Sequence, residues 1–493
     1  MTEKLEATGR RHLPLLFWLI LLVAVALRLS AVTLYGTHHP DEAFQYLEQA
    51  HRLVFDYGLV PWEFRYFIRS WLIPLMLSVP MALGEAVQPG GTAYLWFARL
   101  FVVLVNLAPV VAAWFIGART SRSHAILAMA VVAIWVESVL FSVQTLSESF
   151  AVAAFLPAVA LLRPAASTRA IVAAGALMAL AGLFRYHFAP AIALFALLSA
   201  GRDWRMWRGL VLGGLPVLAA GAAIDLIAGL YPYQWIVNGY HEVVTKDRMT
   251  SVGGDIDPWY FLKAVRHYWG MAATLIGVSF FAGRRYAVLM IVAWANVLVH
   301  QLIGHKEWRY LWLSIEILLI LAAIGSVNVA SRMLADVRPS VRDKAIVAGP
   351  LLLWSLVSAI FAASPVFRLE WRTNGEASAL GALAGRMERV CGLSVPNYIN
   401  TLYGYHVVHR RIPLYLHTVD QAANRSRVEE TKGAFNAIII PANHAPPRGF
   451  DERIGCGGHG VDQVCLYLRP GPCTPNAASD RLIHQRLLLK ANM

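Results

Sequence analysis

Two short stretches concentrate the residues able to do chemistry. The first, His38-His39-Pro40-Asp41-Glu42, opens a segment running to Arg69 that also carries Glu48 and Glu63 among aromatic and basic side chains. The second, far along the chain, is His305-Lys306-Glu307 with Arg309 two residues on. A carboxylate can orient a hydroxyl or take its proton, and a cluster of cations can stabilise a departing phosphate. Together they suit transfer of a group from a phosphate carrier to a hydroxyl. Asp41 is placed to be the base, and Glu42 is the next candidate. His305, Lys306 and Arg309 are candidates for the phosphate, as is Arg185 in a separate short link. The same residues admit plainer readings. Acidic residues beside a proline form an ordinary helix start, and Lys and Arg at helix ends commonly snorkel.

The elements that must position these residues follow from composition. At 493 residues, 57% hydrophobic and 15% charged, the chain is too apolar for a soluble protein of this length. It reads as an α-helical polytopic membrane protein embedded in a lipid bilayer. The formal charge of +13 does not indicate a nucleic-acid partner, because Arg and Lys fall in short clusters between apolar runs and form no basic stripe. About eleven apolar runs are candidates to span, at roughly 13–35, 94–117, 124–143, 147–162, 170–184, 187–200, 208–230, 264–283, 286–303, 309–330 and 344–366. The first follows a polar, basic N-terminus and reads as an uncleaved signal anchor.

Charge then sets topology. The clusters at Arg119–Arg122, Arg163–Arg169, Arg202–Arg208, Arg284-Arg285 and Arg332–Lys344 belong in the cytoplasm with the N-terminus. That alternation holds if residues 36–93 stay on the outer side as a catalytic loop, with 68–83 an interfacial or re-entrant helix interrupted by Pro74 and Pro80. The C-terminus is then outside too. The links around Gln144–Glu148, 185–187, 231–262 and 304–309 share the outer face, so one face collects the candidate chemistry.

Glu148 and Asp225 lie in or beside apolar runs, where ionisable residues are functional candidates by default; salt bridges to Arg185 or Arg28 are the alternative. Trp62, Trp259 and Tyr260 could stack on a sugar or an isoprenoid. His39 and Glu307 read as orienting residues. Asp255 and Asp257 could hold a divalent cation, but their Gly-rich surroundings also make an ordinary turn, and His38, His39 and His51 lack a matching ligand set. No metal or cofactor is predicted.

From about Phe367 the chain turns polar, with β-type runs at Ile412–Leu416, Phe435–Ile440 and Val464–Leu468. The expected organisation is a transmembrane unit at 1–366 and a small extracytoplasmic α/β domain at 367–493. All four cysteines, Cys391, Cys456, Cys465 and Cys473, fall in the second unit, which suggests an oxidising compartment and one or two disulfides, with three pairings open.

The run from His39 to His51, Pro61-Trp62-Glu63 and Arg69-Ser70 resembles the first outer loop of the mannosyltransferases of glycosyltransferase family 22, polytopic enzymes that use dolichyl-phosphate-mannose. Leu146-Ser147-Glu148, Phe184-Arg185-Tyr186, Asp225, Pro258-Trp259-Tyr260 and His305-Lys306-Glu307-x-Arg309-Tyr310 follow in the order that family would give, over roughly 13–330. The resemblance implies the C-type glycosyltransferase fold and inverting transfer of a hexose, mannose by family, from a polyprenyl-phosphate donor to a glycan or glycolipid hydroxyl. It gives Asp41 the role of base. Short loops and an Arg-rich, Ala-rich composition look bacterial, so the expected setting is an inner membrane with the site facing the periplasm. Two alternatives stay open: a lipid or oligosaccharide flippase, for which inverted repeats would be the sign, and an inactive family member serving as an assembly subunit.

Overall fold

In hydrocarbon every backbone N–H and C=O must be satisfied within the segment, so apolar runs fold as helices. The computed structural model describes residues 13–163, 165–245, 257–371, 373, 375–396, 404–417, 428–458, 460, 463–476 and 478–479. Four of its helices are long and apolar enough to cross a bilayer: Ala93–Gly117, Trp204–Ile227, Trp308–Met333 and Pro339–Ala363. Ala272–Ala282 and Arg284–Gln301, bent by 99° where they meet, form a fifth candidate. Six shorter apolar helices pack with them: Leu15–Ala31, Leu72–Val87, Arg122–Ile134, Ser147–Leu161, Thr168–Phe184 and Tyr186–Ala200. The run at 68–83 is largely the helix Leu72–Val87, continuous through Pro80, and it packs on the helix Ala93–Val105.

The run at 124–143 breaks at Trp135, whose ψ of 124° is extended. Ser358 closes the gap, accepting the Val136 N–H at 3.0 Å and donating to the Ile134 carbonyl at 3.0 Å. Arg28 donates to the Ala133 and Val132 carbonyls at 3.1 and 3.2 Å, which accounts for an arginine buried in the first run. The axis of the body is the helix Trp312–Met333, whose residues from Trp312 to Val327 are all buried. The 3-10 turn Trp308–Leu311, carrying Arg309, leads into it. The second chemical motif therefore sits at the end of the best-anchored helix.

The C-terminal domain is a five-stranded sheet with β1 (Leu393–Pro396), β2 (Leu414–His417), β3 (Ala437–Pro441), β4 (Glu452–Gly457) and β5 (Val464–Leu468) in the order β2-β1-β3-β5-β4. β1 is parallel to β2 and β3, while β5 runs antiparallel to β3 and β4. Alternation sorts the side chains: Leu393, Val395, Ala437, Ile439 and Leu466 pack with the helix Gly375–Arg386, and Tyr415, Ile438 and Ile440 face Phe435 and Phe450. The cysteines pair as Cys391–Cys473 and Cys456–Cys465. Phe367 and Trp371, assigned by composition to this second unit, pack in the core of the helical body.

The two parts meet over a buried polar junction. Glu48, on the helix Glu48–Phe55, accepts the Leu59 amide at 2.6 Å through Oε1, and through Oε2 the His406 amide at 2.9 Å with the His406 ring at 2.8 Å. A Cβ on Gly404 would stand 2.5 Å from Glu48 Oε2, so the close approach requires glycine. His51 Nε2 meets His409 Nδ1 at 3.2 Å, and Tyr94 donates to the His406 carbonyl at 2.6 Å while stacking on His409. The C-terminal domain thus grips the helix that follows Asp41.

Burial pushes the His51 imidazole down to about 4, against the pull of Glu48. The unfolded chain therefore binds the extra proton first, and stability falls as pH drops from about 6.5 toward about 4, by up to ~3 kcal/mol. Thermal unfolding at pH 7 and pH 5 checks this: His51→Gln should shrink the difference between the two midpoints. Glu48→Ala, which strands the buried His406 amide at roughly 1–3 kcal/mol and also frees the half-buried Leu59 amide, should lower the midpoint at both pH values.

Candidate active site

Asp41 stands at the start of a π-helical stretch, Glu42–Leu47, that runs into Glu48–Phe55. Single π turns of this kind are frequent at functional sites. The two neighbouring carboxylates part ways here. Glu42 is buried and fully engaged: Oε1 accepts the His38 and His39 amides at 2.7 and 3.1 Å, and Oε2 accepts the Thr145 amide at 2.9 Å and faces Arg99 at 3.7 Å. Arg99 also donates to the Gly36 carbonyl at 2.6 Å. Glu42 holds the loop in place through three amide hydrogen bonds and the charge of Arg99.

Asp41 instead faces the second motif. Its Oδ2 lies 2.8 Å from Arg309 Nη2, and its Oδ1 lies 3.5 Å from His39 Nδ1. Arg309 is shared further, with Glu307 at 2.5 Å and Glu148 at 3.6 Å. Glu307 gathers His305 at 2.7 Å, His39 Nε2 at 3.3 Å and the Tyr310 hydroxyl at 3.1 Å. Arg185 extends the string, 3.2 Å from Glu148 and 4.8 Å from the centre of the Tyr310 ring. Burial alone would push the Asp41 carboxyl up, but Arg309 and then His39 hold it well below the usual carboxylate range. Glu307 is held low in the same way, first by Arg309 and then by His305 and His39. For His39, burial and Arg309 push down while Asp41 and Glu307 push up, and the imidazole rises to about 9.

Two cavities flank this string. One is a narrow cleft of about 30 Å³ lined by Tyr46, Arg69, Ser147, Arg185, Tyr186 and His187. The Nε atoms of Arg69 and Arg185 are buried there without a hydrogen-bond partner among the described residues. The other, about 170 Å³, is walled by aromatic side chains together with His39, Glu307 and Arg309.

The structure thus brings together Asp41, His39, Glu148, Arg185, His305, Glu307 and Arg309, and places Tyr260 on the wall of the larger cavity. Lys306 lines neither cavity and donates to the Ile303 carbonyl at 2.8 Å. Asp225 accepts the Tyr233 amide at 2.8 Å, where it steadies the turn after its helix, and forms no ion pair with Arg185 or Arg28. Trp62 packs edge-on to Tyr66, and Trp259 is exposed; neither lines either cavity. Asp255 lies outside the described residues, and Asp257 pairs with Lys263. No group of three or more potential metal ligands occurs among the described residues. Arg69 and Arg99 were missed as site residues, although an arginine beside or within an apolar run was the available signal.

The sequence profile of the Alg9-like mannosyltransferases matches residues 18–370. The chain belongs to the Alg9-like mannosyltransferase family. Among its curated relatives are the GPI alpha-1,2-mannosyltransferase 3 of Bos taurus, 25% identical over 59% of this chain and 56% of that one, and a GPI mannosyltransferase 3 of Trypanosoma brucei brucei, 34% identical over 21% and 18%. The matches therefore span just over half of the bovine relative's length and a smaller part of the trypanosome's. Among solved structures, ArnT from Cupriavidus metallidurans bound to undecaprenyl phosphate shares the fold, with a TM-score of 0.58 at 14% identity over 93% of this chain and 99% of that one. This Alg9-like chain is an integral membrane protein of the ArnT fold with a small C-terminal sheet domain.

His39 yields a pH signature. With its imidazole raised to about 9, the bridge from Asp41 to Glu307 is fully charged below its ordinary value near 6.5 and is lost as pH rises through 9. Thermal unfolding between pH 7 and pH 10 should show a loss of a few degrees in the wild type. His39→Gln should be lower at pH 7 and flatter across that window.

Proposed function

We propose that this chain is an inverting glycosyltransferase that moves a hexose, mannose by family, from a polyprenyl-phosphate donor to a hydroxyl of a glycan or glycolipid. The reaction takes place on the outer face of the membrane, the periplasmic face of a bacterial inner membrane. The observation that carries this reading is Asp41 held between Arg309 and His39 beside a cleft in which the Nε atoms of Arg69 and Arg185 lack a hydrogen-bond partner among the described residues. The undecaprenyl phosphate held by the ArnT structure supports the carrier class, and the GPI mannosyltransferase relatives support mannose and a glycolipid acceptor.

In this mechanism Arg69 and Arg185 take the donor phosphate. The cleft is narrow, so their side chains must draw apart to admit it. Arg309 is the moving charge. Paired to it, Asp41 is ionised but a weak base; an arriving phosphate that draws Arg309 away restores the basicity of Asp41 only when donor is seated. Asp41 then accepts the acceptor hydroxyl's proton while that oxygen attacks the anomeric carbon from the side opposite the phosphate. The bond from that carbon to the phosphate oxygen breaks, and the polyprenyl phosphate leaves as an anion stabilised by the arginines. Tyr260 stacks on a sugar, and Glu148 keeps Arg185 and Arg309 in register.

Transfer of labelled mannose from mannosyl-polyprenyl phosphate, with glucosyl and arabinosyl donors alongside, tests the proposal. Asp41→Asn should lower kcat by about 10²–10⁴-fold with donor affinity little changed. Arg69→Ala should instead raise the donor KM by about 10–100-fold. Full activity of Asp41→Asn would remove Asp41 from the mechanism.

A further inference from the structure

The larger cavity has a chemistry different from that of the arginine cleft, and the two share no lining residue. Its volume of about 170 Å³ amounts to roughly half a dozen water volumes, the scale of one sugar ring. Trp308 and Trp371 contribute flat apolar surface, with Tyr268 stacked on Trp308 at 4.9 Å. That wall is rigid. Glu137, wholly buried, accepts the indole N–H of Trp308 at 2.9 Å, of Trp269 at 2.7 Å and of Trp135 at 3.0 Å, so one carboxylate fixes three rings. Trp371 is held by stacking on His38 at 4.8 Å and by edge contact with Phe141 at 4.8 Å.

Two polar atoms on this wall are unspent. Gln144 Oε1 and Trp371 Nε1 are both buried without a hydrogen-bond partner among the described residues, and both side chains line the cavity. One accepts and the other donates. A buried polar atom left unpaired costs about 1–3 kcal/mol, so the pair marks a place for a ligand that supplies the missing bonds. A hydroxyl does both, and a pyranose combines hydroxyls with an apolar C–H face for the rings. A phosphate is served less well here, because the cations of this wall, Arg309 and His39, are already paired with Glu307, whereas the unpartnered guanidinium nitrogens lie in the other cavity.

We infer that this cavity is the subsite for the acceptor's terminal sugar, recognised by Gln144 and Trp371 against the Trp308 wall. The inference rests on the transferase reading for the direction of transfer. The donor sugar stays with its phosphate in the arginine cleft. The acceptor sugar enters from the aromatic side, next to His39 and Arg309, which both touch Asp41. Trp371 follows the last apolar helices, so acceptor recognition reaches beyond the segment that carries the catalytic motifs.

The test uses the full-length protein in nanodiscs, with a diazirine-bearing octyl α-mannoside as photolabel and mannosyl-farnesyl phosphate as donor. Labelled peptides should contain Gln144 or Trp371. Labelling should be competed by octyl α-mannoside and not by farnesyl phosphate. Trp371→Phe, which keeps the ring and loses the N–H, and Gln144→Leu should each raise the half-competing concentration of octyl α-mannoside about tenfold. The donor KM should stay within about twofold in both, and farnesyl phosphate binding serves as the check on folding. Labelling elsewhere, competition by mannosyl-farnesyl phosphate alone, or unchanged competition in both variants overturns the subsite. If the wild type labels at this cavity yet transfers no mannose, the sugar subsite stands and the transferase reading fails. Transfer with labelling elsewhere has the opposite meaning.

Discussion

The guanidinium of Arg309 is the one charge that the rest of the site depends on. It lies within ion-pair distance of Asp41, Glu307 and Glu148, carboxylates drawn from three separate regions of the chain. Buried ions stay charged only when partners replace the water they have lost, and removing one partner leaves the others uncompensated. Arg309 therefore ties the loop that carries Asp41, the helix Ser147–Leu161 and the turn before the central helix into one electrostatic unit. Arg185 and His39 complete its charge balance from either side. A site built around one shared cation is stable at rest and sensitive to any anion that competes for it, which suits a donor whose leaving group is a phosphate.

Such a unit needs a rigid frame, and two different solutions supply it. The helical body anchors Arg309 through the turn that opens its most buried helix, and the Glu137 cage fixes the adjoining Trp308. The loop that carries Asp41 has no such helix at its own start. It is pinned from beneath by Glu42 with Arg99 and from beyond by Glu48 with His406. The C-terminal sheet domain is thus part of what sets the position of Asp41, since Glu48 directly follows the π-helical stretch that begins after Asp41.

Much of this was legible in the sequence, and the parts that were not share a cause. Apolar runs reveal helices because composition alone dictates them, and the two charged motifs stand out because charge is scarce in this chain. Their meeting at Asp41 and Arg309 followed from the resemblance and from placing both on one face. The polar junction was hidden, because Glu48 and His406 are 358 positions apart and neither lies in a recognisable pattern. Gln144 and Trp371 were hidden for a related reason: their significance is an unpaired atom in a cavity, and only packing decides which polar atoms go unpaired. The strands β1 and β4 were also missed, the one short and ending in proline, the other broken by glycines around a cysteine.

Of the five carboxylates in the opening stretch, Asp56 ends the helix Glu48–Phe55 in the left-handed region, and geometry separates the roles of the other four more sharply than residue type can. Glu42 is spent on three amides and Arg99, and Glu48 on two amides and a histidine. Glu63 is pushed up by burial against the pull of Arg69, and accepts a hydrogen bond from Gln45 at 3.3 Å. Each would lose structural bonds by taking a substrate's proton. Asp41 alone has its main partner in a cation that is itself divided among other carboxylates, so the strength of its pairing can change without unravelling the loop. A base must be able to exchange partners during a reaction, and that requirement, more than proximity to the membrane, is what favours Asp41 in the proposed mechanism.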